Sequence, residues 1–275
     1  MTADAATEAV PTFRHPFTMC VSGCTGSGKS QWVLRFLQHM HQLVTPGPPR
    51  LVLYCYGELN ANILRLQQQE AQQQQQQQQW MDKNKEGSGE GESVGENVRG
   101  SDGAARETMW HLQVHNGVPE EGQLRQLSTK CGGQLLVVLD DLMVGLRASL
   151  LDVLFTRGSH NWGCSVLLVT QHLFASRELR VARNNCHYLV LMRNPVGALQ
   201  IRNLATQLFP GPRAHRFFME AYEDATREPF DYLLVDMHPR TRDAFRLKTH
   251  IYPGGGYPCT IYMPVDGIAT ARDSG

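Results

Sequence analysis

Gly23-Cys24-Thr25-Gly26-Ser27-Gly28-Lys29-Ser30 stands between the apolar run Phe17 to Ser22 and a stretch in which Val33, Phe36, Leu37, Met40 and Leu43 recur. The short apolar run reads as a buried strand. The recurrence every three to four residues reads as an amphipathic helix from Lys29 to Val44. Glycines between the two allow successive backbone N–H groups to turn inward, and the helix N-terminus behind them complements negative charge. The stretch is therefore read as a phosphate-binding loop. Gly23, Cys24, Thr25, Gly26, Ser27 and Gly28 are expected to wrap the phosphates of ATP, with Lys29 reaching the β- and γ-phosphates and the Ser30 hydroxyl coordinating Mg²⁺. Its weight comes from context, since a strand precedes the motif and a helix follows it.

Working outward, Leu51 to Tyr56 reads as a second strand and Thr108 to His115 as a third. Gln134 to Leu139 is an unbroken apolar run of the kind expected from a parallel strand covered on both faces. Further strands are expected at Ser165 to Thr170, His187 to Met192 and Tyr232 to Val235. Helices are expected from Pro119 to about Thr129, through Leu146, Leu150, Val153 and Leu154, and through Ala198, Ile201, Leu204, Ala205 and Leu208. Strands alternating with helices imply βαβ units, hence an α/β fold with a mostly parallel sheet and helices on both faces.

The pattern breaks between Gln67 and Arg106, where glutamine dominates as far as Gln79 and Gly, Glu, Ser and Asn follow from Lys83. Residues 67–106 read as a low-complexity insertion, helical near Leu66 and disordered towards Gly103, because so polar a tract has little apolar surface to offset its ordering entropy. The expected organisation is an N-terminal arm over 1–15, one P-loop domain over 16–248 carrying that insertion, and a Gly- and Pro-rich C-terminal arm or edge hairpin over 249–275.

Composition bounds the function only loosely. With 26 basic and 26 acidic residues among 275, no bulk field announces nucleic acid, so any DNA contact must be a local stripe or pore. The seven cysteines are scattered without a C-x-x-C pair and read as reduced thiols of an intracellular protein. No apolar run approaches the ~20 residues of a membrane helix, and Met1 to Val10 lacks the pattern of a secretion signal.

Parallel sheets place ligands at the carboxyl ends of their strands. Asp140 ends the Leu135 to Leu139 run and is expected to anchor Mg²⁺ with Ser30. Asp141, pointing differently, is expected to polarise the attacking water. Val166 to Val169 ends in Thr170-Gln171-His172, where Gln171 is placed to hold that water.

Together with Gly23 to Ser30 and Leu135 to Met143, four further segments carry a resemblance. They are Phe155-Thr156-Arg157-Gly158-Ser159-His160, Ser165 to Phe174, Asn185-Cys186-His187-Tyr188-Leu189-Val190-Leu191 and Met219-Glu220-Ala221-Tyr222-Glu223-Asp224-Ala225. From about Phe17 to about Leu247, insertion apart, the chain resembles viral DNA-packaging ATPases of the FtsK/HerA superfamily, adintovirus and Polinton type. The resemblance implies a RecA-like core in a homo-oligomeric ring, hexamer or pentamer, which passes double-stranded DNA into a viral capsid through its packaging vertex. It implies soluble protein in the host nucleus or cytoplasm. Gln171 takes the place of the family's polar sensor, and Arg180, ahead of Arg183, that of the arginine offered to a neighbouring subunit. The chain departs from the family at Arg193-Asn194-Pro195-Val196-Gly197, where an acidic residue after the proline is expected.

Two other classes remain open on the residues alone. One is a phosphotransferase, with Asp140 or Asp141 activating a substrate hydroxyl; the other is a nucleotide-dependent switch that hydrolyses slowly. His39, His41, His111 and His115 read as satisfied or exposed histidines. Phe217, Phe218, Met219 and Tyr222 read as a core stripe, and Arg240, Arg242, Arg246 and Lys248 as a solvated edge or a face for DNA.

Overall fold

The computed structural model describes residues 13–86, 110–142, 145–171, 173, 178–254 and 256–264. In chain order its elements are β1 (Phe13–Arg14), β2 (Thr18–Ser22), α1 (Lys29–Leu43), β3 (Val44–Thr45), β4 (Leu51–Tyr56), α2 (Ala61–Glu86), β5 (His111–Asn116), α3 (Glu121–Lys130) and β6 (Leu135–Asp140). Then come α4 (Ala148–Asp152), which continues through a π-helical turn (Val153–Gly158) into Ser159–Asn161, β7 (Cys164–Thr170), α5 (Glu178–Asn184), β8 (Tyr188–Met192), α6 (Ala198–Leu208), α7 (Pro212–Ala225), β9 (Tyr232–Asp236), β10 (Leu247–Thr249) and β11 (Thr260–Tyr262).

Nine strands form one sheet in the order β11-β10-β9-β8-β2-β7-β6-β4-β5, and β1 pairs with β3 separately. The six strands from β8 to β5 are mutually parallel. β9, β10 and β11 extend them antiparallel. This is the mostly parallel α/β sheet that the alternation of strands and helices implied. β7 lies between β2 and β6, so the strand carrying Asp140 is next but one to the strand before the Gly23–Gly28 loop. Strand order depends on which crossovers pack best, and apolar runs do not encode it.

Period-two alternation divides the strands between two cores. Leu135, Val137 and Leu139 of β6 join Val166 and Leu168 of β7 under helices α3 to α7, meeting Leu124, Leu154, Phe155, Leu204 and Phe218. Leu136 and Val138, with Leu167 and Val169, face the other way onto Trp32, Val33, Phe36 and Met40 of α1 and Ile63 and Leu66 of α2. Hence β6 and β7 are buried at every position. Helices cover both faces.

The glutamine tract is helical well beyond Leu66. α2 runs unbroken to Glu86 and lies along β5, the edge strand of the sheet. Leu112 N donates to Gln73 Oε1 at 2.8 Å, and Gln73 Nε2 donates to Trp110 O at 3.4 Å. Gln77 Nε2 reaches His111 Nδ1 at 2.8 Å. An edge strand presents unpaired N–H and C=O groups, and primary amides, as both donors and acceptors, can satisfy them. A polar tract is therefore ordered here by hydrogen bonding that apolar periodicity does not register. The expectation for 87–106 falls outside the described residues.

At the opposite edge β10 and β11 form an antiparallel pair with Leu247 opposite Tyr262. The strand pairing begins at Leu247 itself, and residues 265–275 lie outside the described residues. Lys248 is buried and pairs with Asp236 Oδ2 at 2.9 Å. Arg246 donates to Asp243 Oδ1 at 2.7 Å and to Asp236 O at 2.9 Å. These two members of the basic run serve the fold rather than a solvated edge or a DNA face.

Candidate functional site

β2, β7, β6 and β4 end together. In register, Ser22 sits beside Thr170, Asp140 beside Val169, and Tyr56 beside Asp140. The loop from Gly23 to Gly28 leaves β2 at this edge and turns back into α1. Gly28, immediately before the helix, has φ 93°, a conformation open to glycine and strained for other residues. Gly23 is required for another reason: a Cβ there would stand 2.5 Å from Ser27 Oγ and 2.7 Å from Met192 Cβ.

Lys29 lies inside the loop, its Nζ donating to the carbonyls of Gly23 at 2.9 Å and Cys24 at 2.8 Å. Burial lowers its pKa, while Cys24, Asp140 and Asp141 pull it back up. Ser30, on the next residue, donates from Oγ to Asp140 Oδ1 at 3.4 Å. The other oxygen, Asp140 Oδ2, accepts a 2.6 Å hydrogen bond from the hydroxyl of Tyr54, a fully buried residue of β4. Asp140 is only 5% exposed. Burial pushes its carboxyl above the usual range, the hydrogen bonds from Tyr54 and Ser30 oppose that, the charge of Asp141 adds to the rise and Lys29 counters it.

This donor set fits Mg²⁺, a hard cation that takes oxygen ligands and commonly only one or two from protein. Tyr54 occupies one carboxylate oxygen and leaves the other directed at the Ser30 hydroxyl, beside the lysine that would face the phosphates.

Asp141 follows at φ 53°, an uncommon conformation for an aspartate, and is exposed. It lines a cavity of about 400 Å³ together with Thr25, Gly26, Gly28, Lys29, Ser30, Asp140, Thr170 and Gln171. Gln171 Oε1 accepts a 3.1 Å hydrogen bond from Thr25 Oγ1, which ties the end of β7 to the Gly23–Gly28 loop. Arg180 stands apart from these groups, exposed on α5 and absent from the cavity wall. Arg183 donates to Leu173 O at 3.1 Å within the same chain. Cys24 Sγ donates to Arg193 O at 3.3 Å, so the Arg193–Gly197 segment adjoins the loop.

Sequence reasoning missed Tyr54, Glu58 and Phe230. Glu58 lines the cavity from the turn after β4, and the carboxyl-edge rule applied to Leu51 to Tyr56 would have found it. Phe230 lies against Gly28, and no local signal marks it: it is a lone aromatic in a turn.

No protein-family model matches the chain. No curated protein matches it either. Among solved structures, the genome packaging NTPase B204 from Sulfolobus turreted icosahedral virus 2, in complex with ATP-gammaS, is similar over 91% of this chain and 98% of that one, with a TM-score of 0.46 and 11% identity. The same NTPase in complex with AMPPCP is similar over 90% and 98%, with a TM-score of 0.41 and 10% identity. A KaiC-like protein from Pyrococcus horikoshii OT3 is similar over 90% of each chain, with a TM-score of 0.40 and 14% identity. Among the described residues no helix is long and apolar enough to cross a membrane.

Proposed function

We propose that this chain is an ATPase that hydrolyses ATP to ADP and phosphate and uses the reaction to move double-stranded DNA. The observation that carries the hydrolytic part is the convergence of Lys29, Ser30, Asp140, Asp141 and Gln171 on one cavity, from the phosphate loop and two strand ends. The backbone of Gly23 to Gly28 and the head of α1 bind and orient the phosphates. Lys29 leaves the loop carbonyls for the β- and γ-oxygens, where its charge complements the charge that develops in transfer. Ser30 and Asp140 are the residues that would hold Mg²⁺, which when bound neutralises phosphate charge.

Asp141 orients the attacking water and accepts its proton. Gln171 hydrogen-bonds the same water, and its link to Thr25 gives the loop a way to register whether the γ-phosphate is in place. These roles favour water over a second substrate as the acceptor.

The motor part rests on the sequence resemblance. In that reading copies of the chain assemble as a homo-oligomeric ring, hexamer or pentamer, with double-stranded DNA in the pore and a viral capsid vertex as the docking partner, in the host nucleus or cytoplasm. Arg180, exposed and outside its own chain's cavity, is the arginine offered to the neighbouring subunit, while Arg183 is engaged within its own chain. The site is tested by equilibrium binding of ATP with Mg²⁺ to the wild type and to Lys29→Ala. Loss of one hydrogen bond to a charged group weakens binding roughly ten- to 150-fold. Unchanged affinity in Lys29→Ala would remove the phosphate site from this loop.

A further inference from the structure

Phe230 lies where β9 begins. Because β9 runs antiparallel to β8, with Tyr232 opposite Met192, and β8 runs parallel to β2, with Leu191 beside Ser22, the turn before β9 comes to the same sheet edge as the phosphate loop. There the ring closes on the last glycine of that loop: a Cβ on Gly28 would stand 2.9 Å from Phe230 Cδ1.

Two features of Phe230 find no explanation in packing. The residue is 66% exposed, although it is large and apolar. Its φ is +70°, a genuine outlier for a bulky residue, at a cost that persists only where the surroundings impose it and that clusters at ligand sites. A buried core aromatic would have neither feature.

The space around the ring supplies a reason. Phe230, Gly28 and Gln31 line both the phosphate cavity and a second hollow of about 480 Å³, which continues away from the loop past Arg35, His250 and Tyr257. His250 is stacked on Tyr257, with ring centroids 5.0 Å apart and 26° between planes, and it is itself a non-glycine residue at positive φ, 54°. A nucleoside triphosphate is an elongated molecule with the same division: an anionic end held by loop amides and a flat heterocycle one ribose away. The hollow beyond Phe230 has aromatic faces and hydrogen-bonding side chains, and it starts at the head of α1 and runs along that helix as far as His39.

We propose that Phe230 is the platform on which the base of the bound nucleoside triphosphate stacks, in the hollow bounded by Gln31, Arg35, His250 and Tyr257. This inference rests on the nucleotide site proposed above and names where its heterocyclic end goes. An aromatic face recognises any base by its π surface, so the platform supplies affinity and leaves discrimination to the polar rim.

The test compares ATP with inorganic tripolyphosphate, which has the phosphates and no base, on wild type, Lys29→Ala, Phe230→Ala and Phe230→Tyr. Stacking on one aromatic predicts that Phe230→Ala weakens ATP about 5- to 150-fold, leaves tripolyphosphate unchanged, and that Phe230→Tyr, which keeps the ring, binds ATP as the wild type does. The position is exposed, so these variants are expected to fold as the wild type does, and their unfolding midpoints check it. Equal weakening of ATP and tripolyphosphate by Phe230→Ala would mean that the ring only shapes the loop at Gly28, and unchanged ATP affinity would mean that it does nothing for binding; either overturns the proposal. If Lys29→Ala also left wild-type ATP binding intact, the nucleotide site itself would fail, an outcome separate from failure of the platform.

Discussion

Tyr54→Phe removes a single hydroxyl, the one that donates to Asp140 Oδ2 at 2.6 Å. Tyr54 is fully buried and Asp140 only 5% exposed, so solvent has little access to either side of the bond. A hydrogen bond to a charged group contributes about 1.5–3 kcal/mol, and the substitution is expected to lower the free energy of unfolding by that much at pH 7.5. Asp140→Ala leaves the hydroxyl buried without its acceptor. In that background Tyr54→Phe removes an orphan donor and is expected to cost nothing or to stabilise. The coupling between the two positions in a double-mutant cycle should therefore reach about 1.5–3 kcal/mol. Independent sites add within about 0.3–0.5 kcal/mol. Urea unfolding of the wild type, the two single variants and the double variant gives all four free energies. Additivity would show that Tyr54 does not hold the Asp140 carboxylate, and the account of why Oδ1 faces Ser30 would fall with it.

Asp141→Asn should retain ATP affinity and slow turnover by about 10²–10⁴-fold, measured as phosphate release at saturating ATP. If Asp141→Asn turns over normally while Glu58→Gln does not, the proton acceptor is the glutamate on the same cavity wall. Stability should also fall with acid through the histidines. Burial lowers the pKa of His15, His187 and His238 below the ordinary 6.5, with the charge of His238 adding to the fall at His187. The unfolded chain therefore takes up protons first as pH falls through 6.5; the contribution is complete above 6.5 and is lost below it. His15 holds Ser165 Oγ at 2.6 Å and Gly133 O at 3.0 Å, and His15→Gln should flatten the dependence of the urea midpoint between pH 7.5 and 5.5. An unchanged slope would contradict this.

The Gly23–Gly28 loop, the strand before it and the helix after it were legible because their signals are local: a short apolar run, glycine spacing, then apolar residues recurring every three to four positions. The ends of β6 and β7 were legible because a parallel strand buried on both faces reads as a continuous apolar run, and its first polar residue marks the ligand edge. What was not legible depends on distant pairing. The place of β7 between β2 and β6 is a matter of crossover choice, which no run of residues encodes. The helix through the glutamines follows from an edge strand, β5, that is more than 30 residues away in sequence. Tyr54 reads as one more apolar position of β4 until Asp140 is placed next to it. Phe230 takes its position from the antiparallel return of β9, which no pattern near residue 230 indicates.

The central claim, that this site hydrolyses ATP in order to move DNA, is tested most directly by steady-state phosphate release from ATP by the purified protein, with and without long double-stranded DNA, beside Lys29→Ala. The account predicts turnover that DNA raises and that Lys29→Ala abolishes in both conditions. Turnover that depends on Lys29 but is indifferent to DNA would contradict the motor, and turnover that survives Lys29→Ala would contradict the site.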